Sequence, residues 1–194
     1  ITISAITEEN TITPEGKTSK DQINSAVESG EKKEGDIYFQ FDVGSNFFLE
    51  IAKLKAFRIL WKERTKKDAF IFTQTAKNNK ETEFEYNNLI RTTTECMSAI
   101  FGGSNGILIH SFSNNKSDFS ERIARNQQTI LRKESYLGKV KDPTKGAYYI
   151  EYLVSELLKG NEICEIEKGK SNISEWISAE GIKIKSDYNI EDLK

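Results

Sequence analysis

Gln74 closes an apolar, β-type run, Ala69 to Thr75, at the point where a bound molecule would meet the end of a strand. A carboxamide there can donate and accept hydrogen bonds, so Gln74 is a candidate ligand-binding residue; a structural role is about as good an account of it. His110 is the only histidine and follows a second apolar run, Ile107 to Ile109. Its titration range suits acid–base work or ligand contact. No nucleophile or carboxylate stands at a fixed spacing from it, which makes a structural role the simpler account. Glu8 and Glu9 follow the apolar alternation Ile1, Ile3, Ala5. Paired carboxylates can divide acid and base duties, but neighbours on a strand face opposite ways, and a solvated loop is the better account of them. Arg91 and Glu95 stand four apart on a helical stretch and could pair along it, in the less favourable order, with an orienting role.

Other catalytic signatures are missing. The chain has no Gly-x-Ser-x-Gly elbow, no phosphate-binding glycine loop and no His/Cys spacing of a metal site. No catalytic residue and no metal ligand is therefore assigned. Cys96 lies in an apolar helical stretch and is expected to be a small core residue; Cys164 is too distant in sequence for any motif. The formal net charge is −2 over 194 residues, with 30% charged and 37% hydrophobic side chains, which points away from nucleic acid and from anionic membranes. No apolar run approaches the length of a membrane span. A reducing cytoplasm fits. The first residue is Ile rather than Met, so the chain is expected to be part of a longer polypeptide.

The elements that must position these residues read as four strand-then-helix units. The first is Ile1 to Thr7 followed by a modest helix over residues 17–33, with Ile23 and Val27 on one face. The second is clearest: Ile37, Phe39, Phe41 and Val43 share one face of a strand and Tyr38, Gln40 and Asp42 the other. Gly44 breaks it, Ser45 or Asn46 can cap the next helix, and Phe47, Ile51, Leu54, Phe57 or Arg58, and Trp61 recur at helical spacing. The third is Ala69 to Thr75 and a helix stopped by Gly102 and Gly103. The fourth is Ile107 to Phe112, then a helix capped by Ser117 or Asp118 and buried through Phe119, Ile123, Ile130 and Leu131. An amphipathic helix ending at Gly160 follows. The last segment is polar and glycine-punctuated, as in an extended arm.

Strands alternating with helices predict a parallel sheet, and four consecutive units amount to about half of a (β/α)8 barrel, with a doubly wound open sheet as the alternative. Barrel sites lie at C-terminal strand ends, here Thr7 to Glu9, Asp42 to Asn46, Gln74 and Thr75, and His110 to Ser113. Half a barrel leaves two strand edges unpaired, so these residues alone are not expected to behave as a stable monomer.

Three stretches go further: Asn46 to Trp61, Tyr86 to Gly103, and Asp118 to Leu153. In their order and spacing they resemble the second half of the barrel of the methylmalonyl-CoA mutase family. The resemblance covers residues 38–158 well and the first unit weakly. It implies residues 1–170 as the C-terminal half of a mutase-like barrel threaded by acyl-CoA. Residues 171–194 would be an arm or linker, since residues 175–194 resemble the segment that precedes the barrel in mutase large chains. The chain would then span a junction between two mutase chains or belong to a longer one.

Departures from the family shape what the resemblance implies. Catalytic chains carry His at the end of the strand matching Ile1 to Thr7, where this chain has Thr7. They carry His-x-Gln where this chain has Phe72, Thr73 and Gln74. They carry an Asp-Glu pair after the fourth strand, and the segment from His110 to Asp118 holds no Glu. The cobalt-ligating Asp-x-His-x-x-Gly motif is absent. The resemblance thus implies a non-catalytic small subunit in a heterodimer with a catalytic large subunit. Adenosylcobalamin is held by that partner chain, and acyl-CoA is a candidate ligand through Gln74 and His110. The alternatives are a fragment of a catalytic mutase chain and a stand-alone acyl-CoA-binding module.

Overall fold

The computed structural model describes residues 8–114, 117–161, 175–177 and 183–185. Four parallel strands form one sheet in sequential order: β1 (Thr11–Ile12), β2 (Tyr38–Val43), β3 (Phe70–Thr75) and β4 (Gly106–Leu108). Each is followed by a helix: α1 (Ser19–Glu31), α2 (Phe47–Thr65), α3 (Asn87–Phe101) and α4 (Asp118–Lys133). This is the repeating βα arrangement from which a (β/α) barrel is built. Among the described residues β1 and β4 each have one neighbour, so the sheet ends on two edges.

Side-chain alternation divides the sheet. Phe39, Phe41, Val43, Ile71, Thr73 and Thr75 are buried on the helix side. Phe39 meets Phe57 and Trp61 of α2 edge-on, at 4.7 and 4.8 Å between centroids. Ile23, Ala26 and Val27 of α1 complete this core. Gly30 sits so close to Trp61 that a Cβ there would lie 2.5 Å from the indole ring. A smaller core joins Cys96, Ile109, Ala124 and Leu131 beneath α3 and α4.

Local chemistry sets the helix starts. Thr18 and Asp21 form a reciprocal capping box at α1, Asn46 accepts from the Leu49 N–H at α2, and Ser117 with Ser120 forms a second box at α4. At the end of α3 it is Gly103, with φ +81°, that takes the left-handed turn. A fifth helix, α5 (Tyr148–Leu158), lies back across α2, with Val154, Leu157 and Leu158 on the first core. Beyond it β5 (Glu175–Ile177) and β6 (Lys183–Lys185) pair antiparallel, so the expected arm contains a hairpin ladder. No helix among the described residues is long and apolar enough to cross a membrane.

Two expectations are corrected, and a third falls on residues the structure does not describe. Ile1 to Thr7 lies outside the described residues, and the strand that pairs with β2 before α1 is Thr11–Ile12. It is two residues long, and Pro14, two positions past its end, has no N–H with which to extend a ladder. The fourth strand stops at Leu108 rather than Phe112. On α4 the buried line is Ser120, Ala124 and Leu131, while Phe119 and Ile130 are exposed. The small residues allow close approach to α3, and Gln127 donates to Leu89 O, Thr92 Oγ1 and Thr93 Oγ1 across the contact.

Candidate functional site

The face of the sheet turned away from the helices carries its chemistry in rows set by the ladder. Strand residues two apart share a face, so the register Asp42–Gln74–Leu108 makes one row, Gln40–Phe72–Gly106 the next, and Tyr38–Phe70 the last. The last row is apolar, with Tyr38 and Phe70 edge-to-face at 5.2 Å. In the middle row the Phe72 ring lies over Gly106, where a Cβ would come within 2.8 Å of it. In the row at the C-terminal strand ends, Gln74 Nε2 donates to Asp42 Oδ1 at 2.6 Å. The amide orientation follows from chemistry, since its carbonyl oxygen would repel the carboxylate.

Behind this row stands a buried polar cluster. Lys53, 2% exposed, donates to the Asp42 carbonyl at 2.9 Å and to Gln22 Oε1 at 3.1 Å, and pairs with Glu50 at 2.6 Å. Lys80 donates to both Glu95 oxygens at 2.8 Å, and Asn79 donates to Glu95 at 2.6 Å and to Ser45 at 2.7 Å. Burial pushes the Glu95 carboxyl above its ordinary value, against the opposing pull of Lys80 and Asn79. These groups fasten the loops after β2 and β3 to α2 and α3. Arg58 does the same at the other end of the sheet. Its guanidinium, its pKa lowered by burial, donates to Ala69 O, Gly103 O and Asn105 Oδ1.

His110 lies two residues beyond Leu108, and its backbone N–H donates to Thr75 Oγ1 at 2.9 Å, tying the loop after β4 to the end of β3. Gln74 and His110 thus belong to the same end of the sheet, each held by its own partner. Glu8 and Glu9 do not. They form an exposed turn ahead of β1, at the N-terminal end of the sheet, because the paired strand starts after them. Arg91 does not pair with Glu95 either. It bonds Glu81 at 2.6 Å and Asn88 at 2.8 Å, while Glu95 turns inward to Lys80. Cys96 is a buried free thiol, as expected of a core residue, its pKa pushed up to about 12 by burial.

Sequence reasoning missed Lys53, Lys80 and Asn79. Only the Glu50–Lys53 spacing of three held a local signal. Lys80 reaches Glu95 across fifteen residues, a contact only the fold creates.

The profile of the methylmalonyl-CoA mutase family matches residues 25–169. The chain is 41% identical to the methylmalonyl-CoA mutase of Rhizobium meliloti, over 63% of this chain and 19% of that protein. It is 39% identical to the methylmalonyl-CoA mutase small subunit of Porphyromonas gingivalis, over 71% of this chain and 24% of that protein. It is 35% identical to the methylmalonyl-CoA mutase of Escherichia coli, over 71% of this chain and 21% of that protein. The chain spans about a fifth of the length of these relatives.

Proposed function

The chain belongs to the methylmalonyl-CoA mutase family, and on that premise we propose that it is part of the non-catalytic small subunit of a two-chain mutase. Residues 1–170 contribute the C-terminal half of its barrel and residues 171–194 an arm. The sheet face carrying Asp42, Gln74 and Phe72 lines an acyl-CoA channel. The complete enzyme interconverts methylmalonyl-CoA and succinyl-CoA, with chemistry supplied by adenosylcobalamin on the catalytic large subunit. A cytoplasmic setting, in keeping with the free Cys96 thiol, belongs to the same proposal.

The observation that carries this is the pair of rows at the C-terminal strand ends. An orienting site needs polar groups free to hold a substrate. Here Phe72 covers Gly106, and Gln74 spends an N–H on Asp42. The small-subunit relative from Porphyromonas gingivalis adds support. The residues do not fit a cobalamin cradle. Around the single histidine, Leu108 and Ser113 stand where the ligating motif has Asp and Gly. Among the described residues no cluster of His, Cys, Asp or Glu could hold a metal ion. What the residues do is mechanical: the Lys53–Glu50 and Lys80–Glu95 pairs fix the strand-end loops.

A second reading, a fragment of a catalytic chain, is favoured by Gln74 itself and by the likeness to the Rhizobium meliloti mutase. Native mass spectrometry separates the two. The full-length polypeptide is measured alone and with the large subunit of the same source, in adenosylcobalamin. A one-to-one complex with one cobalamin, and none on this polypeptide alone, supports the structural subunit. Cobalamin retained by this polypeptide alone overturns it in favour of the catalytic reading.

A further inference from the structure

We propose that Asp42 is a specificity-determining residue that turns carboxylated acyl groups away from this channel and leaves it open to neutral ones. The inference rests on the reading that this sheet face lines an acyl-CoA channel. Asp42 stands at the C-terminal end of β2, on the channel face, in register with Gln74. Its carboxylate accepts from the Gln74 amide, a neutral group that leaves the negative charge in place. The nearby cation Lys53 bonds the Asp42 backbone carbonyl and is itself neutralised by Glu50.

A substrate carboxylate seeking the Gln74 amide would therefore arrive beside a second carboxylate, within hydrogen-bonding reach of the same nitrogen. Like charges at that separation repel strongly once water is displaced. The remaining surface suits an uncharged acyl chain: Leu108 in the same row, Phe72 in the next and Phe70 in the last. Methylmalonyl-CoA and propionyl-CoA make a clean comparison, being the same thioester with and without the carboxylate.

The test is calorimetric titration of both esters into the full-length polypeptide without the large subunit, for the natural protein and Asp42→Asn. The asparagine keeps the shape and still accepts from Gln74, so only the charge changes. Propionyl-CoA is expected to bind at least about tenfold more tightly than methylmalonyl-CoA. The gap should close in Asp42→Asn and narrow with added salt in the natural protein. Equal binding of the two esters, or a gap that survives in Asp42→Asn, overturns the role of Asp42 and leaves the channel intact. Failure of both esters to bind either protein overturns the channel reading together with this inference.

Discussion

Lys80 and Glu95 meet with the lysine nitrogen 2.8 Å from each carboxylate oxygen, their side chains 5% and 1% exposed. Removing one partner of such a pair leaves a buried, uncompensated charge. Lys80→Met should therefore cost about 3–5 kcal/mol in urea unfolding of the full-length protein at neutral pH. Lys80→Met with Glu95→Met should recover most of the loss. A double variant as unstable as the single one would show that the cost is not electrostatic.

The same pair fixes a pH dependence. Burial raises the Glu95 pKa above its ordinary 4.5. A carboxyl raised in the folded state binds its proton more tightly there than in the unfolded chain. Its contribution to stability is fully present below the ordinary value and lost as pH rises through the folded one. Lys80→Met removes an opposing cation and raises that pKa further. Its deficit against the natural protein should shrink as the pH falls toward the ordinary glutamate range. A deficit that stays constant over that interval would remove Glu95 as its source.

Gly106→Ala should destabilise by about 1–3 kcal/mol, because its Cβ would lie 2.8 Å from the Phe72 ring. The clash is with a side chain, so Phe72→Leu in the same protein should relieve part of it. Chemical denaturation of the four-protein cycle measures the coupling.

Arg58→Met should cost about 3 kcal/mol, since two backbone carbonyls, Ala69 O and Gly103 O, lose a charged donor. Hydrogen exchange should rise first at Ile71, whose N–H bonds Asn105, the third partner of Arg58. Lys in place of Arg should rescue little, because one ammonium cannot span the three acceptors.

Cys96, with its thiol pKa pushed up to about 12, should resist alkylation at pH 8 in the folded protein. In a Cys164→Ser background, labelling should appear only with unfolding. Rapid labelling without denaturant would contradict the packing of Cys96 against Ile109 and Ala124.

Much of this architecture is legible in the sequence where burial imposes a period. The alternation of Phe39, Phe41 and Val43 with Tyr38, Gln40 and Asp42 is enough by itself to assign both faces of β2. Asn46 and Ser117 mark helix starts because their side chains satisfy N–H groups that the helix cannot. Thr11–Ile12 shows no period because two residues cannot carry one, whereas the longer alternation before it can. Phe119 looks like core because it is apolar, yet it is the small Ser120 beside it that is buried. Gln74 stands out as a polar group ending an apolar strand. Its bond to Asp42 does not, because only cross-strand register brings the two together.

Helix α5 carries a consequence for how the molecule comes apart. Tyr149 meets Phe48 at 5.4 Å, Lys55 holds both Asp142 and Thr144, and Lys20 donates to the carbonyl of Lys159 at 2.5 Å. These contacts join positions about a hundred residues apart, and closing so large a loop costs only slightly more entropy than closing one half its length. The region works as a hoop rather than a row of independent units. A single nick in the exposed turn between α4 and α5 should leave both pieces clasped together, whereas a linear stack would shed its last unit.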